Sequence, residues 1–379
     1  MTTVSRALVL CLAAIVLAGS QAPAQAPESI PIAVIGPMSG KDARSGQAMV
    51  NGVRMQVKNI NEQGGVQGRR VSIEVYDNKH DKQLARQQAL KIAQQSRCVA
   101  VIGHYYSSLS LEGGEIYKEH GIPAVTGSAT APEVTEGNDW YFRVISDNRL
   151  QGRLSALYLS GVLGHSSVSI VYEDDAYGRT LMRSFRRAAD ELGLNVLDTW
   201  RVNSLKEDVG QKLQSYCSRL AEGPCPSALY LGLLDQESAD FVRRLRDAGL
   251  DLTILGGDSL GLGTFPQEMA SVVDDPDNVG DYTHGIYATT YFIRDIANRE
   301  AQQFSREFVH RYDREPDALA ATSFDAAGIV IQALAETDLN QSLDAVRDQV
   351  RVFLFNVTGP AEIYTGVTGP IYFDPQGNA

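Results

Sequence analysis

Short apolar runs alternate with helical patterns along most of this chain. Ile32-Ala33-Val34-Ile35-Gly36 is a compact apolar run that ends at a Gly-Pro turn. Met49, Val53, Val57 and Ile60 then recur at helical spacing, and Gly64-Gly65 stops that helix. Val71, Ile73 and Val75 alternate with polar residues as a strand does, and Asp81 can cap the helix that follows. Strands are expected at 98–102 and 122–125, with a helix at 109–120 between them. The alternation restarts after Asn148: strands at 168–172, 196–200, 228–232 and 252–255, helices at 179–192, 209–220 and 238–248. Regular βαβα alternation means parallel sheets covered by helices on both faces. Two runs of it predict two doubly wound α/β lobes. The last segment holds two long helices, 298–312 and 318–336, and is expected to return to the first lobe. The expected division is 29–147 plus 282–379 for one lobe and 148–281 for the other, joined by a multi-strand hinge.

The N-terminus changes the picture. Arg6 is the only charge before the apolar run Ala7–Ala18, and small residues with an Ala-x-Ala exit follow, ending near Ala26. This reads as a cleaved secretory signal over 1–26, because a spanning helix needs about 20 apolar residues. Cys11 follows Leu10 rather than the small residue that lipid modification wants. No later stretch reads as long and apolar enough to span a membrane. The formal net charge is −12, with no basic cluster, which argues against nucleic acid and against an anionic membrane face. Export allows a disulfide. Cys217 and Cys225 flank the short turn Glu222-Gly223-Pro224 and are the expected pair, while Cys98 opens an apolar strand. The cysteine spacing fits no metal site, and no cofactor is implied.

Open parallel sheets bind ligands beyond the carboxyl ends of their strands, where helix N-termini converge. Gly103-His104-Tyr105-Tyr106-Ser107-Ser108 precedes one helix, and Thr126-Gly127-Ser128-Ala129-Thr130 follows a neighbouring strand. Each hydroxyl alone reads as a helix cap; together the loops read as an anion pocket. From the second lobe, Tyr177 can cover a ligand or pack in the core, and Asp258 can pair with a cation or cap a helix. No nucleophile elbow, phosphate loop, zinc-binding helix or dinucleotide fingerprint stands at a strand–helix turn. Of six histidines only His104 lies near the pocket, where a hydrogen-bonded core residue is the simpler reading. Binding without catalysis is expected.

These residues resemble a known family, the periplasmic leucine/isoleucine/valine-binding proteins of branched-chain amino-acid ABC transporters. The resemblance spans about 30–379 and is carried by Ile35-Gly36-Pro37-Met38-Ser39-Gly40, Gly64-Gly65-Val66-Gln67-Gly68, Gly103-His104 with Ser107-Ser108, Ser128-Ala129-Thr130-Ala131-Pro132, Tyr141-Phe142-Arg143, Tyr177-Gly178 and Gly369-Pro370-Ile371-Tyr372-Phe373-Asp374. It implies a periplasmic protein that closes on an amino acid or similar small carboxylate and delivers it to a membrane permease; the alternative is the ligand-sensing domain of a signalling receptor. It also implies that Ser107, the Ala129 backbone and the Thr130 hydroxyl hold the carboxylate, that Asp258 holds the ammonium, and that Tyr177 closes over the ligand. Three positions depart from the family. Ser45, beside Arg44, and Leu234 stand where pocket aromatics are expected, and His80 and Tyr106 stand where two cysteines would be. The first two weaken the case for a branched aliphatic ligand, and Arg44 is either a polar-ligand contact or a solvated loop residue. The family usually adds a final strand pair beyond Asp374, so the chain reads as a fragment or the sensor part of a longer receptor.

Overall fold

The computed structural model describes residues 29–379 apart from 204–207, 224, 264, 297 and 360–361; the expected signal, 1–26, lies outside the described residues. Two five-stranded sheets organise the chain. The first holds β1 (Ile30–Gly36), β2 (Val71–Asp77), β3 (Val101–Gly103), β4 (Ala124–Thr126) and β5 (Tyr141–Arg143), in the order β2-β1-β3-β4-β5. The second holds β6 (Ser167–Glu173), β7 (Asn195–Val202), β8 (Ala228–Gly232), β9 (Thr253–Gly256) and β10 (Ile286–Ala288), in the order β10-β9-β8-β6-β7. Every pairing in both sheets is parallel. The inner strands β3, β4 and β8 are buried along their whole length, while edge strand β7 keeps exposed positions. That contrast follows from helices covering both faces of a parallel sheet.

In the first lobe α1 (Ala43–Glu62), α2 (Lys82–Gln95) and α3 (Ser107–Glu119) connect the strands, and α4 (Asn148–Leu157) opens the second lobe. There α5 (Ala176–Leu192), α6 (Val209–Glu222), α7 (Asp235–Asp247), α8 (Phe265–Val272) and α9 (Val279–Thr283) follow, and α10 (Arg299–Tyr312), α11 (Ala318–Ala335) and α12 (Leu343–Asn356) end the chain. Their ends obey local chemistry. Asp81, Asp175 and Asp317 accept N–H groups of the first turns of α2, α5 and α11. Gly193 ends α5 in the left-handed region at φ 70°.

Two sequence expectations need correction here. Residues 286–288 do not return to the first lobe, because β10 pairs with β9, so the second sheet extends beyond residue 281. And α11 is long and apolar enough to cross a membrane by composition, although 89% of it is buried inside the protein. It is a core helix of the first lobe, packed along α1; a Cβ on Gly52 would collide with the Ala320 carbonyl, so only glycine permits this approach.

The expected Cys217–Cys225 disulfide is also absent: all three cysteines in 29–379 are free. Cys217 lies on the inner face of α6, buried with Trp200, Leu213 and Leu220, whereas Cys225 is exposed beyond the helix end. A short sequence separation could not reveal that the two thiols face opposite environments. Burial pushes the Cys217 thiol up to about 11 and the Cys98 thiol up to about 12. A thiol reagent at neutral pH should therefore label one cysteine, Cys225, in the folded protein, and Cys98 and Cys217 only after denaturation. Peptide mapping that finds Cys217 joined to Cys225 would contradict this.

Candidate ligand-binding cleft

The first-lobe side of the cleft is built by two loops that hold each other. Ser107 is the first residue of α3, so its N–H and that of Ser108 have no acceptor within the helix. The Ser107 hydroxyl accepts the N–H groups of Thr130 and Ala131, each at 3.1 Å, which leaves its own proton to donate. Beneath them lies Arg143, fully buried on β5. Its guanidinium donates to the carbonyls of Ala129 (2.7 Å) and Ala131 (2.9 Å), to Thr135 Oγ1 and to Asn378 Oδ1. Burial lowers the Arg143 pKa to about 10, which still leaves it charged at neutral pH. The Thr130 hydroxyl is fully buried and has no hydrogen-bond partner, an arrangement rare in folded proteins.

From the second lobe Asp258 and Tyr177 face the same space. Gln151 Nε2 donates to Asp258 Oδ1 at 3.1 Å, and Gln151 Oε1 accepts the Asp258 N–H at 3.0 Å. The same amide contacts Tyr291 Oη at 2.8 Å and accepts from Thr289 Oγ1 at 2.7 Å. Burial raises Asp258 to about 6, against the pull of hydrogen bonds from Gln151 and Tyr177. The Tyr177 hydroxyl also lies 3.2 Å from Ser259 Oγ. A Cβ on Gly257 would collide with that hydroxyl, so glycine at this turn lets the tyrosine reach the acid.

Between the lobes is a cavity lined by Tyr105, Tyr106, Ser107, Gly127, Ser128, Tyr177, Leu234, Asp258, Ser259, Leu262, Tyr291, Ala318, Leu319 and Thr322. Of the expected site residues it brings together Ser107, Ser128, Tyr177, Leu234 and Asp258. Ser108, Ser45, Ala129 and Thr130 are not on its wall. Ser108 is buried in the first turn of α3. Ala129 needs correction as a backbone ligand: its N–H is held by Thr126 Oγ1 at 3.0 Å and its carbonyl by Arg143. His104 is a core residue, fully buried between Asn78 (3.1 Å) and Tyr117 (3.0 Å), and burial lowers it to about 3, so it stays neutral. Sequence reasoning missed Gln151, Tyr291 and the start of α11. Nothing local marks them, because each is brought in by the tertiary fold. Arg143 did carry a signal, a charge inside the apolar run Tyr141-Phe142-Arg143-Val144.

The rim is ionic. Lys41 and Arg44 of the first lobe reach Glu237 (3.1 Å) and Glu268 (3.5 Å) of the second. Arg44 is thus an interlobe contact, neither solvated alone nor on the cavity wall. Asp235, at the start of α7, is pushed up to about 7 by burial and then by Asp42, Glu268 and Glu237. His80 and Tyr106 stack face to face at 3.6 Å where the resemblance called for two cysteines.

Two parallel α/β lobes with a cavity between them, lined by the start of α3 on one side and a buried acid on the other, have the build of a two-lobed solute-binding protein. A profile of the periplasmic binding protein family matches residues 29–378, and the chain belongs to that family. An amino acid binding protein of Pseudomonas aeruginosa is 27% identical over 68% of this chain and 66% of its own length. Leu/Ile/Val-binding protein homolog 1 of Brucella abortus is 25% identical over 97% of this chain and 91% of its own. A solved leucine binding protein from Thermotoga maritima matches with a TM-score of 0.77 at 25% identity, covering 92% of each chain. A branched-chain amino acid transporter substrate binding protein from Streptococcus pneumoniae, in complex with isoleucine, matches with a TM-score of 0.80 at 23% identity over 93% of each chain.

Because Arg143 anchors the loop that carries Thr130, Arg143→Leu should cost about 3 kcal/mol of stability or more, each orphaned buried acceptor contributing about 1–3 kcal/mol. Urea unfolding monitors this, and an unchanged midpoint would show that the buried guanidinium is dispensable.

Proposed function

We propose that this protein captures a free α-amino acid in the periplasm and presents it, in the closed form, to the permease of an ABC transporter. The observation that carries the reading is a single cavity with anion donors on one wall and one buried acid on the other. The first turn of α3 and the Ser107 hydroxyl suit a carboxylate, through unpaired N–H groups and the positive end of the helix dipole. Asp258 suits an ammonium, and Tyr177 covers the ligand from the second lobe. Only a ligand that carries both charges on adjacent atoms joins both walls, and that differential contact is what shifts the lobes toward closure. No step of this function needs bond chemistry, and the relatives named above are binding proteins.

Charge pairing makes the reading testable through pH. Asp258 is raised in the folded protein, to about 6 from an ordinary 3.8. Its protonated form is therefore favoured by folding, and the stability this confers, present at low pH, is lost as pH rises from about 4 through 6. An ammonium reverses the preference. Amino-acid affinity should be full above about pH 7 and fall below pH 6, by up to about tenfold per pH unit as binding must expel one proton. The deaminated analogue, a plain or α-keto acid, should bind at least about 100-fold more weakly at pH 8, and the gap should narrow toward pH 5. Asp258→Asn should flatten both trends, which separates Asp258 from Asp235. Calorimetry that finds equal affinity for both ligands across this range would defeat the amino-acid reading.

A further inference from the structure

Gln151 lies on α4, buried beside the acid of the second wall. Asp258 presents it with an acceptor, Oδ1 at 3.1 Å, and with a donor, its own N–H at 3.0 Å. Only one orientation of the amide satisfies both, Nε2 toward the carboxylate and Oε1 toward the N–H. The second proton of Nε2 goes to Tyr291 Oη at 2.8 Å, with Asn148 Oδ1 farther off at 3.3 Å. The second lone pair of Oε1 takes the Thr289 hydroxyl at 2.7 Å. Tyr291 in turn gives its single proton to the Ser146 carbonyl at 3.0 Å. Ser146 lies on the chain crossing between β5 and α4, and Thr289 and Tyr291 on the crossing that leaves β10. The amide is thus saturated, and both crossings hold it.

The acid relies on this amide. Tyr177 also hydrogen-bonds to Asp258, but its one proton is contested. Ser259 gives its own proton to the Leu233 carbonyl at 2.7 Å, so across the 3.2 Å to Tyr177 it must accept. The phenols of Tyr105, Tyr177, Tyr230 and Tyr291 that face Asp258 are kept neutral by burial. The cation that acts on Asp258, Arg143, has its guanidinium bonded to the first-lobe loops. A hydrogen bond donated to a carboxylate favours its charged form, so the Gln151 N–H opposes the burial that pushes Asp258 up.

We propose that Gln151 is the positioning residue of the ammonium site: it fixes one oxygen of the Asp258 carboxylate, and so makes the cleft prefer an amino acid to the same skeleton without its nitrogen. This rests on the amino-acid reading above and names the residue that prepares the acid for it. Gln151 acts through Asp258 and is not itself on the cavity wall.

The test is calorimetry from about pH 5 to 8 on the wild type, Gln151→Met and Gln151→Glu. Each common amino acid is paired with its α-keto acid, alanine with pyruvate and leucine with α-ketoisocaproate among them. Methionine keeps the length and removes every hydrogen bond; glutamate keeps the acceptors for the Asp258 N–H and Thr289 and removes the donors. Without the donor the folded pKa of Asp258 rises, so amino-acid affinity begins to fall at a higher pH. That pH should rise by about one unit in both variants, a hydrogen bond to a charged group being worth about tenfold or more. At pH 7 the preference for the amino acid should shrink about tenfold in Gln151→Met, with the keto acid changing by less than about threefold. In the Asp258→Asn background the same substitution should change both members of a pair alike. A wild-type pH profile and preference in both Gln151 variants, or an unequal effect that persists with Asp258→Asn, overturns the positioning role and leaves the amino-acid reading intact. A wild type that binds none of the amino acids, or binds each no better than its keto acid, overturns the amino-acid reading and with it the role of Gln151.

Discussion

The cleft depends on the mutual locking of two first-lobe loops. Ser107 takes the N–H groups of Thr130 and Ala131, and Arg143 takes the carbonyls of Ala129 and Ala131. The backbone from 129 to 131 is thereby held from both sides. A site fixed in this way does not have to be ordered when the ligand arrives, which removes an entropic cost of binding. It also explains why a charged residue sits fully buried at the end of β5. A neutral side chain has too few donors to hold four acceptors at once, and a guanidinium has five in a rigid fork.

Closure is a separate matter, and the rim pairs do not decide it. Lys41 and Arg44 are about half exposed, and pairs of that kind contribute about 0–1 kcal/mol and weaken in salt. On the proposed reading the larger differential contact lies inside, where burial disfavours the Asp258 carboxylate even though Gln151 donates to it, and an ammonium would supply a charge partner. On this reading the first wall is held in place before binding, whereas the second gains its charge partner from the ligand.

Much of this was legible in the sequence, and the reasons are specific. The parallel sheets were readable because Ile32–Gly36 and Ala228–Gly232 are continuous apolar runs, and because Gly193 and Gly249 punctuate the helices that follow strands. Ser107, Ser128, Tyr177 and Asp258 could be placed at the cleft because a parallel sheet directs every strand end to one edge. The strand at 286–288 was missed because Ile286-Tyr287-Ala288 is only three residues long and mostly exposed. The role of Ala129 was misjudged because the resemblance gives a position and not the direction of a carbonyl. The cysteine pairing failed for the same kind of reason, since separation along the chain does not report which face of α6 a residue occupies. Tyr106 was visible as a residue but not as a wall, because its ring is held by the stack on His80, far away in sequence.

The most direct test of the central claim is a crystal structure of the protein with a bound α-amino acid. The account predicts the carboxylate within hydrogen-bond distance of the Ser107 hydroxyl and the N–H groups that open α3, and the ammonium on Asp258. A ligand lodged elsewhere, or one bound in the cleft with its carboxylate turned toward the second lobe, would contradict it.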